Sequence, residues 1–139
     1  MGPEPLEIKK ENFLALFKNR KAMVKPLIMD QRFLAGVGNI YAQEALFCAG
    51  IHPERKANSI KKEKLEKLYE CLISILRVAI NKKGSSANTY RQLDGTQGSY
   101  IPLLKVYQRE DEPCFKCKAP IRRKVMSSRG TYFCLRCQR

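Results

Sequence analysis

The chain has 139 residues, enough for one domain or two small ones, and carries 27 Lys and Arg against 13 Asp and Glu, a formal net charge of +14. It has neither an apolar run long enough to span a bilayer nor an apolar signal segment at its start, so we expect no membrane partner and no secretion. The charge predicts a polyanionic partner, although a solvated basic surface, an anionic membrane face or a ribosomal setting would carry the same excess.

Four helices are predicted between residues 11 and 81, each from the spacing of its apolar side chains. The first two cover 11–17 and 26–29, where Pro26 suits an opening turn because proline lacks the amide hydrogen that a first turn leaves unpaired. The third covers 40–48, with Asn39 as its N-terminal cap and Gly50 as its stop. The longest covers 61–81, where leucines recur every three or four residues opposite a charged face.

The segment Gly36-Val37-Gly38-Asn39 precedes the third helix. Flexible glycines allow backbone N–H groups to approach an anion, and a helix N-terminus favours negative charge. We interpret the segment as a candidate phosphate site centred on Gly38 and Asn39. An ordinary tight turn is the alternative, because Gly-x-Gly before a helix is a common pattern.

The composition changes after Lys83. Residues 84–99 are rich in Gly, Ser, Asn and Asp, which predicts a long surface loop, and apolar residues return in a connector up to residue 110. We therefore divide the chain into segments 1–83, 84–110 and 111–139. Loops as long as 84–99 commonly carry a function.

Four cysteines near the C-terminus have the spacing C-x2-C-x16-C-x2-C: Cys114, Cys117, Cys134 and Cys137. Two C-x2-C turns can direct four thiolates at one tetrahedral zinc ion, and the intervening residues suffice for two short strands and a turn. We predict one structural Zn2+ that holds a small β-hairpin. Two disulfides in a secreted protein, or a redox-active C-x-x-C pair, are the alternatives. Cys48 and Cys71 lie in apolar stretches and are interpreted as lone core thiols.

Residues 113–139 carry eight Lys or Arg and no acidic residue, so one zinc ion with four thiolates leaves about +6 on this segment. Arg129, beside Gly130, is expected at the hairpin tip. There its guanidinium can donate two hydrogen bonds to one phosphate, whereas a solvated tip is the alternative. The sequence as a whole predicts a mostly α fold, a helical bundle followed by a small zinc-stapled β-hairpin finger.

Residues 30–47 (DQRFLAGVGNIYAQEALF) and 49–53 (AGIHP) resemble the helix-two-turn-helix segment of the formamidopyrimidine-DNA glycosylase and endonuclease VIII family of base-excision repair enzymes. The loop residues Gly84-Ser85-Ser86, Tyr90, Asp94-Gly95 and Gly98 resemble the family's loop over an extruded damaged base. Residues 113–139 resemble its zinc finger. The resemblance covers the whole chain, and the Gly-Ser-Ser loop favours the glycosylase subgroup.

This resemblance implies a partner and roles for individual residues. The partner would be double-stranded, damaged DNA, with Asn39 next to Gly38 contacting a phosphate beside the lesion and Arg129 gripping phosphate from the finger. Ser85, Ser86 and Tyr90 would border the pocket for an oxidised purine such as 8-oxoguanine. Lys25 and Arg32 are further candidate phosphate contacts, which a solvated helical face would explain equally well. The location would be cytoplasmic, at the nucleoid.

The resemblance also implies what this sequence does not carry. The family's nucleophile is an N-terminal proline amine followed by a glutamate, in a domain that these 139 residues do not contain, and Pro3 has its nitrogen in a peptide bond. The one histidine, His52, is interpreted as a capping or packing residue. We therefore expect no catalytic residue and no base excision by this chain alone, with a separate N-terminal catalytic half as a possible partner. A self-standing DNA-binding adaptor module is the alternative, and a ribosomal or transcription-associated zinc ribbon is a weaker one.

Overall fold

The computed structural model describes residues 1–81 and 104–139. In chain order the elements are α1 (Lys10–Leu16), α2 (Val24–Met29), α3 (Asn39–Ala49), a 3-10 turn (Ala57–Ser59), α4 (Lys62–Asn81), β1 (Arg122–Met126) and β2 (Arg129–Phe133). Helices followed by a two-stranded antiparallel hairpin with a cysteine cluster confirm the predicted order of elements. Within the described ranges no helix combines the length and apolarity needed to cross a bilayer.

The four predicted helices are all present, with boundaries that differ by two residues or fewer. Gly50 ends α3 in the left-handed conformation at φ 73°, as a helix-stopping glycine should. The predicted cap of α3 is wrong by one position: Gly38 is the N-cap, and Asn39 is the first helical residue. Asn39 does not cap the helix because its side-chain oxygen accepts a hydrogen bond from Lys25 instead.

The main core lies among the four helices. α4 packs against α1 and α3, and it presents Leu65, Leu68 and Leu72 to this core, as the spacing of its leucines predicted. Phe13 and Phe17 of the α1 region meet edge to face with ring centroids 4.9 Å apart. Burial of each such side chain contributes about 1.5–3 kcal/mol of transfer free energy.

Cys48 and Cys71 are not lone thiols, so that prediction was wrong. The structure joins them in a disulfide between α3 and α4, with the two Cα atoms 6.0 Å apart. The neighbouring turns of two packed helices bring the two side chains together, which sequence position alone does not reveal. The disulfide closes a loop of 23 residues in sequence separation and links the two longest helices covalently.

The hairpin turn lies two residues earlier than predicted, so the placement of Arg129 and Gly130 at the tip was wrong. β1 and β2 pair from Arg122 opposite Phe133 to Met126 opposite Arg129. The two-residue turn is therefore Ser127 and Ser128, both with positive φ (50° and 65°), and Arg129 is the first residue of β2. Two consecutive residues with positive φ match the twist of a short antiparallel hairpin.

A second apolar cluster joins the finger to the helical part. Phe47 of α3 packs with Val106, Ile121 and two of the buried cysteines, Cys114 and Cys134. α3 is thus enclosed by α4 on one side and by the finger on the other. Residues 42–47 are consequently all buried, although they include a glutamine and a glutamate.

The N-terminal segment lies against the loop that precedes α3. The Gly2 amide donates to the Gln31 carbonyl (2.7 Å), and the Ala35 amide donates to the Pro3 carbonyl (2.9 Å). A Cβ atom on Gly2 would lie 2.5 Å from the carbonyl carbon of Phe33. Only glycine permits this approach, so the start of the chain has a fixed position beside the glycine-containing turn.

Candidate metal centre and nucleic-acid interface

The four finger cysteines form a compact sulfur cluster. All four Sγ atoms lie within 4.8 Å of one another. The Cys114–Cys137 sulfurs are 3.7 Å apart and the Cys117–Cys134 sulfurs are 3.4 Å apart. A tetrahedral zinc ion with Zn–S bonds of about 2.3 Å would place its sulfurs about 3.8 Å apart, so the donor set and its geometry fit one Zn2+.

Backbone groups support these ligands. The Lys116 amide donates to the Cys114 sulfur at 3.3 Å. A backbone hydrogen bond at Ala119 lowers the pKa of the Cys117 thiol to about 7, whereas burial raises the pKa of Cys137 to about 12. Cys117 therefore ionises more readily than Cys137, and a bound zinc ion would hold all four ligands as thiolates.

The second cysteine turn is fixed to the end of α3 by a buried glutamine. Gln138 accepts a hydrogen bond from the Cys134 amide (2.8 Å) and donates one to the Ile51 carbonyl (2.9 Å). His52 adds a packing contact, because its ring centroid lies 4.8 Å from that of Phe133 and its Nδ1 accepts the Glu54 amide. The metal centre therefore has a defined orientation relative to the helices.

The N-terminus of α3 lies open. In the part of the chain that the structure describes no side chain caps it, and Gly36 and Gly38 are both exposed. Gly36 has a φ of 84°, and its amide is bonded by the side chain of Gln31. A helix start with uncapped amides and the positive end of its dipole is a binding site for a negatively charged group.

The hairpin docks beside this helix start through backbone groups of β2. Gln43 of α3 donates to the Gly130 carbonyl (3.1 Å) and accepts the Tyr132 amide (2.6 Å). The Asn39 side-chain nitrogen lies 3.4 Å from the same Gly130 carbonyl. These bonds set β2 along α3 and place Arg129 close to the helix start.

Lys25 of α2 lies between the helix and the hairpin. Its side chain is buried, and its ammonium donates to Asn39 Oδ1 at 2.6 Å and to Thr131 Oγ1 at 2.7 Å. Burial and, to a smaller extent, the charge of Arg129 together lower the pKa of Lys25 to about 8. The sequence had left open a solvated helical face for Lys25, and this alternative is wrong.

A cleft of about 190 Å³ lies over Lys25. It is bounded on one side by α2 and its end, with Pro26, Met29 and Asp30, and on the other by the hairpin, with Met126, Ser127 and Arg129. Of the five predicted DNA-contacting residues, Lys25 and Arg129 line this cleft, and hydrogen bonds of Asn39 with Lys25 and the Gly130 carbonyl bring Asn39 and its neighbour Gly38 next to it.

Arg32 is the fifth and differs from the other four. Its side chain is exposed and forms a two-pronged ion pair with Asp30, with contacts of 3.0 and 3.2 Å. Asp30 also accepts the Arg32 backbone amide at 2.9 Å. Arg32 is therefore held at the edge of the cleft with much of its charge neutralised locally.

Two domain families match this chain in the order that the sequence predicted. The formamidopyrimidine-DNA glycosylase H2TH domain matches residues 1–91, and the zinc finger found in FPG and IleRS matches residues 111–139. The chain belongs to the formamidopyrimidine-DNA glycosylase family. The finger is accordingly a zinc finger, with four cysteines positioned to bind one structural zinc ion.

Curated relatives agree with this assignment. The formamidopyrimidine-DNA glycosylase of Solibacter usitatus is 46% identical over 139 residues, which are 100% of this chain and 53% of the relative. That of Symbiobacterium thermophilum is 40% identical, over 99% of this chain and 46% of its own length. The chain therefore spans about half the length of the curated relatives it matches.

Solved structures of the family show the same arrangement. MutM (FPG) from Thermus thermophilus is 43% identical and superimposes with a TM-score of 0.86, over 99% of this chain and 53% of that one. The Lactococcus lactis FPG (MutM), solved in a complex with DNA containing FAPY-dG, is 34% identical with a TM-score of 0.86, over 100% of this chain and 51% of that one.

The predicted family loop lies outside the described residues, and with it Ser85, Ser86, Tyr90 and the division at residue 83. The connector that follows is described from residue 104. There one carboxylate of α3, Glu44, accepts the backbone amides of three successive residues at 2.7–3.0 Å: Lys105, Val106 and Tyr107. Burial raises the pKa of Glu44, and these three amides oppose that shift.

Sequence reasoning missed four polar residues that assemble the site. Gln43, Glu44, Thr131 and Gln138 are all buried, and each bonds a segment distant in the chain. Polar residues within a helix are normally assigned to its solvent-exposed face, so their burial was not predicted. One signal was available in the sequence. Gln43 and Glu44 lie between the apolar residues 42 and 45, so a helix that buries 42 and 45 cannot turn both polar side chains toward solvent.

Proposed function

We propose that these residues form the DNA-binding portion of a formamidopyrimidine-DNA glycosylase, a base-excision repair enzyme with AP lyase activity that acts on oxidised purines such as 8-oxoguanine in damaged double-stranded DNA. One observation carries the proposal. The exposed Arg129 of the finger borders the cleft over Lys25, and hydrogen bonds from Lys25 to Asn39 and from Gln43 to the Gly130 carbonyl hold the uncapped start of α3 beside it. The helix-two-turn-helix assignment of α2, the turn and α3 is part of this proposal.

The contacts follow from the chemistry of each group. Backbone amides near Gly38 and the Asn39 side-chain nitrogen would donate to one phosphate of the DNA strand, since the helix start favours an anion. The Arg129 guanidinium would bind a second phosphate with two parallel hydrogen bonds. Phosphate contacts position a protein on DNA without reading its sequence, so lesion selectivity has to come from other residues.

The lesion loop is proposed as the source of that selectivity. Ser85, Ser86 and Tyr90 would border the extruded base, because removal of a base requires that it leave the stack. Bond cleavage is assigned to residues outside these 139, and we propose that a catalytic portion carrying an N-terminal proline amine supplies it. Such a protein would act inside the cell, at the nucleoid.

Duplex binding by the zinc-loaded chain tests the proposed phosphate contacts. We expect binding to duplexes of unrelated sequence, with an affinity that falls as salt rises because each bound phosphate releases counterions. Fluorescence anisotropy between low and physiological salt measures the slope. A zinc-loaded, folded chain that does not bind any duplex, with or without an abasic site, would contradict the proposal.

Activity measurements separate the two candidate roles. Excision and strand nicking are measured on an 8-oxoguanine duplex, with the chain alone and with an N-terminal glycosylase half added in trans. The proposal predicts no excision by the chain alone and restored excision with the added half. A chain that binds DNA but never supports excision would favour the adaptor alternative.

A further inference from the structure

Among the residues that the structure describes, Lys25 is a buried cation without a counter-ion. Only 1% of its surface is exposed, and its ammonium bonds two neutral oxygens, Asn39 Oδ1 and Thr131 Oγ1. The carboxylate that borders the same cleft is Asp30, whose oxygens are taken by Arg32. On the finger side Arg129 faces Lys25 and repels it. Such burial costs folding free energy, so stability alone does not account for a lysine here.

The ammonium determines which way the Asn39 amide points. An ammonium only donates hydrogen bonds, so the group facing Lys25 at 2.6 Å must be the amide oxygen. The amide nitrogen then points the other way, toward the Gly130 carbonyl at 3.4 Å. One of its two N–H groups makes this long contact, and the second has no acceptor among the residues that the structure describes.

The orientation of the Asn39 amide decides whether the start of α3 presents a hydrogen-bond donor or an acceptor to an anion. With the nitrogen outward, Asn39 adds a donor to the uncapped backbone amides of the helix. With the amide reversed, the oxygen would face a phosphate and repel it. Thr131 contributes from the finger side, because its hydroxyl accepts from Lys25 and donates to the Arg129 carbonyl at 3.2 Å. One lysine thereby joins the helix start to the strand that begins with Arg129.

We propose that Lys25 is a positioning residue, which holds the Asn39 amide with its nitrogen outward and fixes the finger strand at Thr131, so that both groups meet the same DNA backbone. The inference rests on the proposed duplex binding and adds that Lys25 acts through Asn39 and not as an independent phosphate contact. The depressed pKa of Lys25 agrees with an ammonium held in place at a cost.

Lys25→Met tests the role, because methionine keeps the length and burial of the side chain and removes the donors. We expect duplex affinity to fall roughly tenfold, the size of a lost hydrogen bond to a charged group, while Tm at pH 7 is unchanged or higher because a buried charge is gone. A structural lysine would give the opposite, a lower Tm. Lys67→Met, an exposed charge on α4, is the matched control.

A double-mutant cycle separates positioning from direct contact. If Lys25 works through Asn39, then Asn39→Ala costs roughly tenfold in the wild type and little in the Lys25→Met background. Full additivity, with a further loss of salt slope in the double variant, would overturn the proposal and make Lys25 an independent phosphate contact.

Two milder variants keep the test informative if Lys25→Met fails to fold. Thr131→Val removes the hydroxyl that Lys25 bonds with almost no change in shape, and we expect a loss of roughly threefold that Thr131→Ser restores. If Thr131→Val, Thr131→Ser and the wild type bind the duplex with equal affinity, the hydrogen bond from Lys25 to Thr131 has no role in binding, which would contradict this part of the proposal. Wild-type protein that binds no duplex would refute the proposed function itself, which is a different outcome from binding with additive or silent variants.

Side-chain amide NMR gives a readout without DNA. In the zinc-loaded wild type the Asn39 side-chain amide should show one set of signals, with slow exchange of the protons because the group is held on both sides. Lys25→Met should broaden or shift these signals and leave the Gln138 amide unchanged, since Gln138 bonds Ile51 and Cys134 at the other end of the finger. Unchanged Asn39 signals would overturn the orienting role.

Discussion

Arg129 is an exposed arginine at the start of a strand that three side chains hold in place, those of Lys25, Asn39 and Gln43. We predict that Arg129→Ala weakens binding about tenfold for duplexes of any sequence and lowers the salt slope by about one. The measurement is anisotropy on two unrelated duplexes at several salt concentrations. Arg77→Ala, which removes an exposed charge from α4, should leave both quantities nearly unchanged. Loss of affinity for one duplex only would show base contact instead.

Lys25 also gives the folding equilibrium a defined pH dependence. Its pKa is about 8 in the folded chain against an ordinary value of 10.5, so between these values the unfolded chain binds more protons. Stability should therefore rise with pH across that window, by about 1–3 kcal/mol relative to Lys25→Met. Urea unfolding of both proteins at pH 7.5 and 10 measures the difference. Parallel behaviour of the two proteins would show that Lys25 is not the titrating group.

At the scale of elements, α3 is the helix to which the other parts attach. Its Asn39 and Gln43 bond the hairpin, Glu44 bonds the connector, and Cys48 is joined to α4. Glu44→Gln should destabilise the fold by about 2–3 kcal/mol, because an amide nitrogen would then face one of three backbone donors. Urea unfolding at pH 7 measures this loss. Glu66→Gln, on α4, is a control outside the network, and an equal effect of both changes would contradict the assignment.

The disulfide between α3 and α4 should stabilise the protein through the loop it closes. A loop of this length lowers the entropy of the unfolded chain by an amount worth about 3 kcal/mol. The double variant Cys48→Ser/Cys71→Ser should therefore melt at a lower temperature than the oxidised wild type. A reductant that spares the zinc site should remove that difference. A melting temperature of the wild type that does not respond to reductant would show that the pair is not oxidised in solution.

Local signals in the sequence were sufficient for the helices but not for the contacts between elements. Leucine spacing and Gly50 identified α4 and the end of α3, because periodicity and a left-handed stop are properties of a few neighbouring residues. The hairpin turn was misplaced at Arg129-Gly130 because glycine is the stronger turn signal, whereas two serines form the turn. Lys25 and Thr131 are 106 residues apart, and no local pattern predicts their hydrogen bond.

At the scale of the whole molecule, zinc is expected to hold the DNA-binding surface together. The finger has few buried apolar residues of its own, so without metal it should lose its fold, whereas the helical core does not depend on the cysteines of the finger. We predict that chelation abolishes duplex binding and leaves most of the helical circular dichroism. Added Zn2+ should restore binding, and Mg2+ should not. Binding that survives full removal of zinc would contradict this arrangement.

The position of Gly2 affects anything joined ahead of the first residue. Backbone hydrogen bonds hold residues 2 and 3 against residues 31–35, a few residues before the exposed glycines of the α3 start. A tag or a preceding domain therefore begins at the rim of the proposed DNA surface and not on the far side of the protein. A short linker ahead of Met1 would therefore bring a fused domain close to the DNA that this surface is proposed to bind.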